Sequence, residues 1–189
     1  MIEFSWIKIE TFGLLRSNRQ TDTHTHTHTH TSMLTTKQLL NITKNHSCTE
    51  DTILGVYSID RVPKHINFYP SGYITNNRPS SHGGEHWISL FFPGRFQAAE
   101  MFCSLGNAPH TYDPKLNDIL KSNGNGTFKF STRQVQSDMS RACGYFALYY
   151  CDLRSRGLSY ELIMNNMSEV DFDKNENIVK GYVTSHMLD

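Results

Sequence analysis

The chain has no excess of charge of either sign: eighteen Lys and Arg residues are matched by eighteen Asp and Glu, leaving a formal net charge of zero. No long-range field draws it to nucleic acid or to an anionic membrane, so the net charge gives no support to DNA as an activator. Cysteine is scarce. The four residues Cys48, Cys103, Cys143 and Cys151 are few for a disulfide scaffold, and none forms the Cys-x-x-Cys pair of a zinc site. That usage predicts a reducing, intracellular setting, nucleus or cytoplasm, with no cofactor and no metal. No apolar run approaches the about 18 residues of a membrane span. Glu3, Lys8 and Glu10 interrupt the N-terminus where a signal peptide needs its apolar centre, so neither secretion nor membrane anchoring is expected.

What is present suffices for one domain. With 189 residues, 38% of them hydrophobic and 12% aromatic, the chain can bury a core. Residues 1 to 32 read as foreign to the rest, because Thr and His alternate strictly from Thr23 to Thr31, as a (CA)n repeat read in one frame would give. This segment is expected to be a disordered low-complexity extension, with Met33 a candidate start and residues 33 to 189 the folded domain. His24, His26, His28 and His30 could collect a metal, but alternate residues on an unanchored strand preorganise nothing.

Along the domain, a threonine cap before Leu39, Leu40 and Ile42 predicts a helix from Thr35 or Thr36, broken by His46 to Thr49. Ile53 to Ile59 reads as a strand and turn, followed by a loop through Tyr73 and Ile74 that continues from Asn76 to Gly84. Glu85-His86-Trp87 then stands at the mouth of an apolar strand, Ile88 to Phe92. Pro93-Gly94-Arg95 turns the chain into an antiparallel partner, Phe96 to Leu105. A helix from Pro114 to Lys121 with Asp113 as cap, a strand from Phe128 to Val135, and closing helices at Leu158 to Met167 and Ile178 to His186 complete the pattern. The sum predicts an α+β domain with a mostly antiparallel sheet against a central buried helix.

That helix belongs to the stretch from Gln134 to Leu153. Every residue from Tyr145 to Cys151 is apolar or aromatic, so the helix should be covered on all sides. Cys143 falls in its first turn, where free backbone N–H groups and the helix dipole favour a thiolate. Seven positions earlier, Gln136 could offer two amide N–H donors to an oxyanion beside the sulfur. Asp138 and Ser140 are candidate caps for the helix. Cys151 reads as packing, Cys48 as a structural or loop thiol, and His110 and His186 have no evident role.

The order His86-Trp87 on a strand, a third position on the next strand, Gln136, then Ala142-Cys143-Gly144 opening a helix resembles the adenovirus-type cysteine protease, adenain. It is similar also to adenain-like proteases of Polinton (Maverick) transposons and, more distantly, to Ulp-type SUMO proteases. The resemblance covers about residues 50 to 155. It implies Cys143 as nucleophile, His86 as general base and later acid, and Gln136 with the Cys143 N–H as oxyanion donors. It implies a thiolate–imidazolium resting pair, since such pairing lowers a cysteine pKa to about 3–4 in papain-like sites. It implies cleavage after small residues such as glycine, in capsid-type structural proteins as the polypeptide partner. The place where adenoviral enzymes bind a cofactor peptide by disulfide is Asn125 here, so that activation does not carry over.

One position departs from the family. Where it has Asp or Glu, seventeen residues after the histidine, this chain has Cys103, within Phe102-Cys103-Ser104-Leu105-Gly106. A thiol accepts a hydrogen bond weakly and does not hold an imidazolium as a carboxylate does. Three readings follow: a working Cys–His dyad, rescue by another acid such as Glu85 or Glu100, or a decayed transposon copy. The alternative to a cysteine endopeptidase is an impaired relative acting as a peptide-binding module.

Overall fold

The structure, a computed structural model, describes residues 33 to 188; the expectations for residues 1 to 32 lie outside the described residues. Five strands form one sheet in chain order: β1 (Ile53–Tyr57), β2 (Ser71–Asn76), β3 (Trp87–Phe92), β4 (Ala99–Phe102) and β5 (Phe128–Phe130). The central pairings β2–β3 and β3–β4 are antiparallel, and each edge strand joins in parallel. The helices are α1 (Thr36–Asn45), α2 (Lys115–Asn123), α3 (Cys143–Ser155), α4 (Tyr160–Asn165) and α5 (Phe172–Met187). The α+β expectation holds. No helix among the described residues is long and apolar enough to cross a membrane.

Local signals account for most element ends. Thr35 and Gln38 form a reciprocal capping box at α1, and Asp113 Oδ1 accepts from Lys115 N at the start of α2. Ser71–Asn76, expected as loop, is a fully buried strand between two neighbours. Its Ser71, Thr75 and Asn76 hid the apolar pattern, while its place inside the sheet satisfies the backbone from both sides. β4 and β5 are shorter than expected, and α5 begins earlier, at Phe172 behind an Asp171 cap. His186, for which no role was evident, stacks on Tyr182 with ring centroids 4.4 Å apart.

The sheet is buried on both faces, which explains the unbroken apolar run of β3. Ile88, Leu90 and Phe92 join Ala99, Met101 and Cys103 under Leu116, Ile119 and Leu120 of α2. Phe91 and Phe102 face Phe146 and Tyr150 of α3, and Trp87 packs with Cys143 and Ala147. α3 is buried along almost its whole length. One charged pair crosses this interface: Arg154 donates to both oxygens of Glu100 at 2.7 and 3.1 Å, and Tyr150 OH donates to Oε2 at 2.7 Å.

Removing one partner of such a pair leaves a buried uncompensated charge. Arg154→Leu should therefore destabilise the fold by about 3–5 kcal/mol. The exposed Arg78–Glu85 pair should be worth about 0–1 kcal/mol in an Arg78→Ala variant. Denaturant unfolding of the two variants checks the contrast.

Candidate active site

His86 stands one residue before β3. Asn77 Oδ1 accepts from the backbone N–H of both His86 and Glu85, at 2.9 and 3.1 Å, and Asn77 N donates to His86 O at 3.0 Å. This clamp fixes the strand mouth. Sequence reading missed it, since an Asn inside an Asn/Ser/Gly-rich loop carries no distinguishing signal. Alternation along β3 then separates neighbours: Trp87 goes to the α3 face, where its Nε1 donates to Leu34 O at 2.7 Å. Trp87 is a core residue.

The His86 ring meets Cys103. Nε2 lies 3.4 Å from Cys103 Sγ, which in turn lies 3.1 Å from Tyr112 OH, and Asn107 Nδ2 donates to that hydroxyl at 3.0 Å. The Tyr112 ring also lies roughly parallel to the imidazole, with centroids 6.2 Å apart and an interplanar angle of 21°. Cys103 is thus the group that faces the imidazole nitrogen, backed by a phenol and an amide that the motif did not reveal. Neither Glu85 nor Glu100, the acids considered for rescue, hydrogen-bonds to the imidazole. Glu85 is exposed and paired with Arg78, and Glu100 is engaged by Arg154 and Tyr150. Among the described residues no carboxylate hydrogen-bonds to His86.

Cys143 is the first residue of α3, whose cap position, Ala142, has no side-chain cap. Ser140 Oγ accepts from Ala142 N, before the helix, and Asp138 accepts from Gln134, so neither caps α3 as expected. The Cys143 sulfur sits where the backbone N–H groups of Trp87, Gly144 and Cys143 itself favour a thiolate, which sets it beside the strand mouth carrying His86. A larger residue at position 144 would crowd Leu34 Cβ at 3.0 Å and Trp87 Cδ1 at 3.4 Å, so Gly144 allows this close packing. Gln136 is buried. Its Oε1 accepts from Ser104 Oγ at 2.6 Å and its Nε2 donates to Ser140 O at 3.0 Å. That leaves one amide N–H, not two, for any further acceptor.

Burial dominates the electrostatics. It lowers the His86 pKa to about 4, and it raises Cys143 above the usual thiol value despite the three backbone donors. Cys103 is likewise raised by burial, so it brings no negative charge to hold an imidazolium. Burial thus favours the neutral thiol and the neutral imidazole over the ionised forms that the motif implied. Cys151, pushed by burial to about 12, is inert packing as expected. The site is also nearly closed: Cys143 is 2% exposed and His86 6%. Two clefts among the described residues, one beside His65, Tyr69 and Arg95 and one beside Tyr57, Asn76 and Gly84, are lined by neither side chain.

No protein-family model matches this chain, and no curated protein matches it. Among solved structures it shares the α+β fold of the ASFV pS273R protease, with a TM-score of 0.55 over 82% of this chain and 67% of that one, at 16% identity. A second crystal structure of that protease, in selenomethionine form, matches 65% of this chain and 45% of that one, at 20% identity and a TM-score of 0.44. At these identities the likeness is one of fold.

A histidine that is neutral when folded gives a signed pH effect. The unfolded chain takes up a proton near pH 6.5 and the native site resists until about pH 4, so His86 lowers stability as pH falls through that window. At low pH the loss reaches about 3 kcal/mol. Unfolding free energies from pH 7 to 4 should fall more steeply in wild type than in His86→Gln. Parallel curves would mean that His86 is not held neutral.

Proposed function

We propose that the chain is a cysteine endopeptidase in which Cys143 is the nucleophile and His86 the general base. The observation that supports this reading is the seating of the Cys143 sulfur against the Trp87 amide, one residue along the chain from His86, whose Nε2 is engaged by Cys103. With Nε2 so occupied, Nδ1 takes the thiol proton as sulfur bonds to the substrate carbonyl carbon. The free N–H of Gln136 and the Cys143 N–H stabilise the oxyanion. The imidazolium then protonates the departing amine, and water hydrolyses the thioester to restore the thiol. Asn107 donates to Tyr112, whose O–H is then free to donate to Cys103 and fix the sulfur that orients the imidazole.

The narrow access favours small residues at the cleavage point, glycine above all. Together with the motif, this supports a virus- or transposon-type capsid precursor as substrate, a relation to adenain-like proteases of Polinton elements, and an intracellular site of action. A second reading has its own support. The buried, neutral pair and the absent carboxylate suit an impaired relative that grips glycine-containing peptides without cutting them.

The full chain treated with a glycyl vinyl sulfone should form one adduct, at Cys143, absent in Cys143→Ser and slowed in His86→Gln. Failure of wild type to react, while it still binds a Gly-Gly peptide, would select the second reading. Cys103→Asp should raise turnover of a Gly-Gly peptide amide by about 10- to 1,000-fold, because an adjacent carboxylate raises an imidazole pKa by about 1–3 units. An unchanged or lower rate would assign Cys103 a purpose of its own.

A further inference from the structure

We propose that His46, Cys48 and Asp152 form a binding site for a divalent cation of zinc type, at the end of α3 remote from Cys143. Asp152 is fully buried, on the last turns of the central helix. Its Oδ2 accepts from Arg156 Nε at 2.7 Å and from Tyr182 OH at 2.5 Å, which fixes the carboxylate plane. Its Oδ1 has no hydrogen-bond partner among the described residues, and neither has His46 Nδ1. The two unsatisfied atoms lie 3.3 Å apart, close enough for an ion pair but out of alignment for a hydrogen bond. Two tetrahedral zinc ligands with bonds of about 2.0–2.2 Å sit about 3.3–3.5 Å from each other, so this spacing is that of two ligands converging on one ion.

Cys48 supplies the third ligand. The three ligand atoms all lie within 4.8 Å of one another, and Cys48 is in the half-exposed turn after α1. That turn is fixed: Thr49 N and Glu50 N both donate to His46 O at 2.9 Å, and Thr49 Oγ1 donates to Thr43 O at 2.9 Å. A modest rotation of the Cys48 side chain closes the set. Thiolate, imidazole and carboxylate together suit zinc, with water in the fourth position. Arg156 and Tyr182 are the outer groups that orient the ligating carboxylate. A simple His46–Asp152 ion pair explains less, since Asp152 already has Arg156 as counter-charge and the ring nitrogen does not aim at Oδ1. On binding, the Cys48 thiol proton passes to solvent as the S–metal bond forms, so affinity rises with pH. The ion would staple the end of α1 to α3 and, through Tyr182, to α5.

The full chain titrated with Co²⁺ reports this directly, because thiolate ligation gives a sulfur-to-cobalt charge-transfer band in the near ultraviolet. The histidines of residues 24 to 30 carry no sulfur and cannot produce it. Wild type and Cys143→Ser should show the band, Zn²⁺ should bleach it, and Cys48→Ser should lose at least about tenfold of its intensity. His46→Gln, which keeps the thiol, should weaken Co²⁺ binding by about 10-fold or more. A wild-type protein without the band, or a band that survives Cys48→Ser, overturns the proposal. Neither result touches the peptidase reading, which vinyl sulfone labelling of Cys143 tests separately.

Discussion

The burial of β3 on both of its faces is the constraint on which the arrangement depends. A strand alternates its side chains, so two consecutive residues must serve different layers. Trp87 is committed to the helix side, where it packs with Cys143 and bonds to Leu34. His86 is thereby committed to the side of Cys103, in the layer beneath α2. The imidazole meets Cys103 and Tyr112 there, while the next residue, Trp87, brings the same strand mouth against Cys143. A slip of one residue in the β2–β3–β4 register would exchange the two roles and scatter the site.

The same burial sets the chemistry. In a site open to water, a thiol at a helix N-terminus beside a histidine ionises readily. Here both groups lie under the surface, and desolvation outweighs the backbone donors that favour the thiolate. A carboxylate at position 103 would tilt the balance, because an imidazolium next to an anion loses less on burial than one beside a neutral thiol. Cys103 cannot do this, and the Tyr112–Asn107 pair behind it offers hydrogen bonds rather than charge. What remains is orientation: the imidazole is held by contact and stacking.

Much of this was legible in the residues, and the gaps have physical causes. The capping box of α1, the Pro114 start of α2 and the all-round apolar α3 are local signals, and they gave the elements their places. The order of His86, Gln136 and Cys143 along the chain could be read directly, whereas the bonds that Gln136 makes to Ser104 and Ser140 could not. β2 was not, because a polar-rich strand looks like loop until both neighbours pair with it. The failure of Glu85 and Glu100 to support His86 was equally hidden, since each is claimed by a partner distant in sequence or in a loop. Likewise His46-x-Cys48 has a short spacing that means little until α3 delivers Asp152 from the far end of the chain.

Cys143 and Asp152, the two positions to which chemistry is proposed, stand at opposite ends of one helix, α3. Nine residues at a rise of about 1.5 Å separate them by roughly 13–14 Å along the axis. The first turn is held by the strand mouth through Gly144, against which the side chains of Leu34 and Trp87 pack without room for a larger residue. The last turns are held by Arg154 on Glu100 of β4 and by Asp152 on the Tyr182 hydroxyl of α5. A rigid rod anchored at both ends cannot slide along its axis, and a slide of about one ångström would draw the Cys143 sulfur away from the Trp87 amide, the donor that lies off the helix. The polar groups at the far end therefore act on the near end mechanically, by fixing where the helix begins.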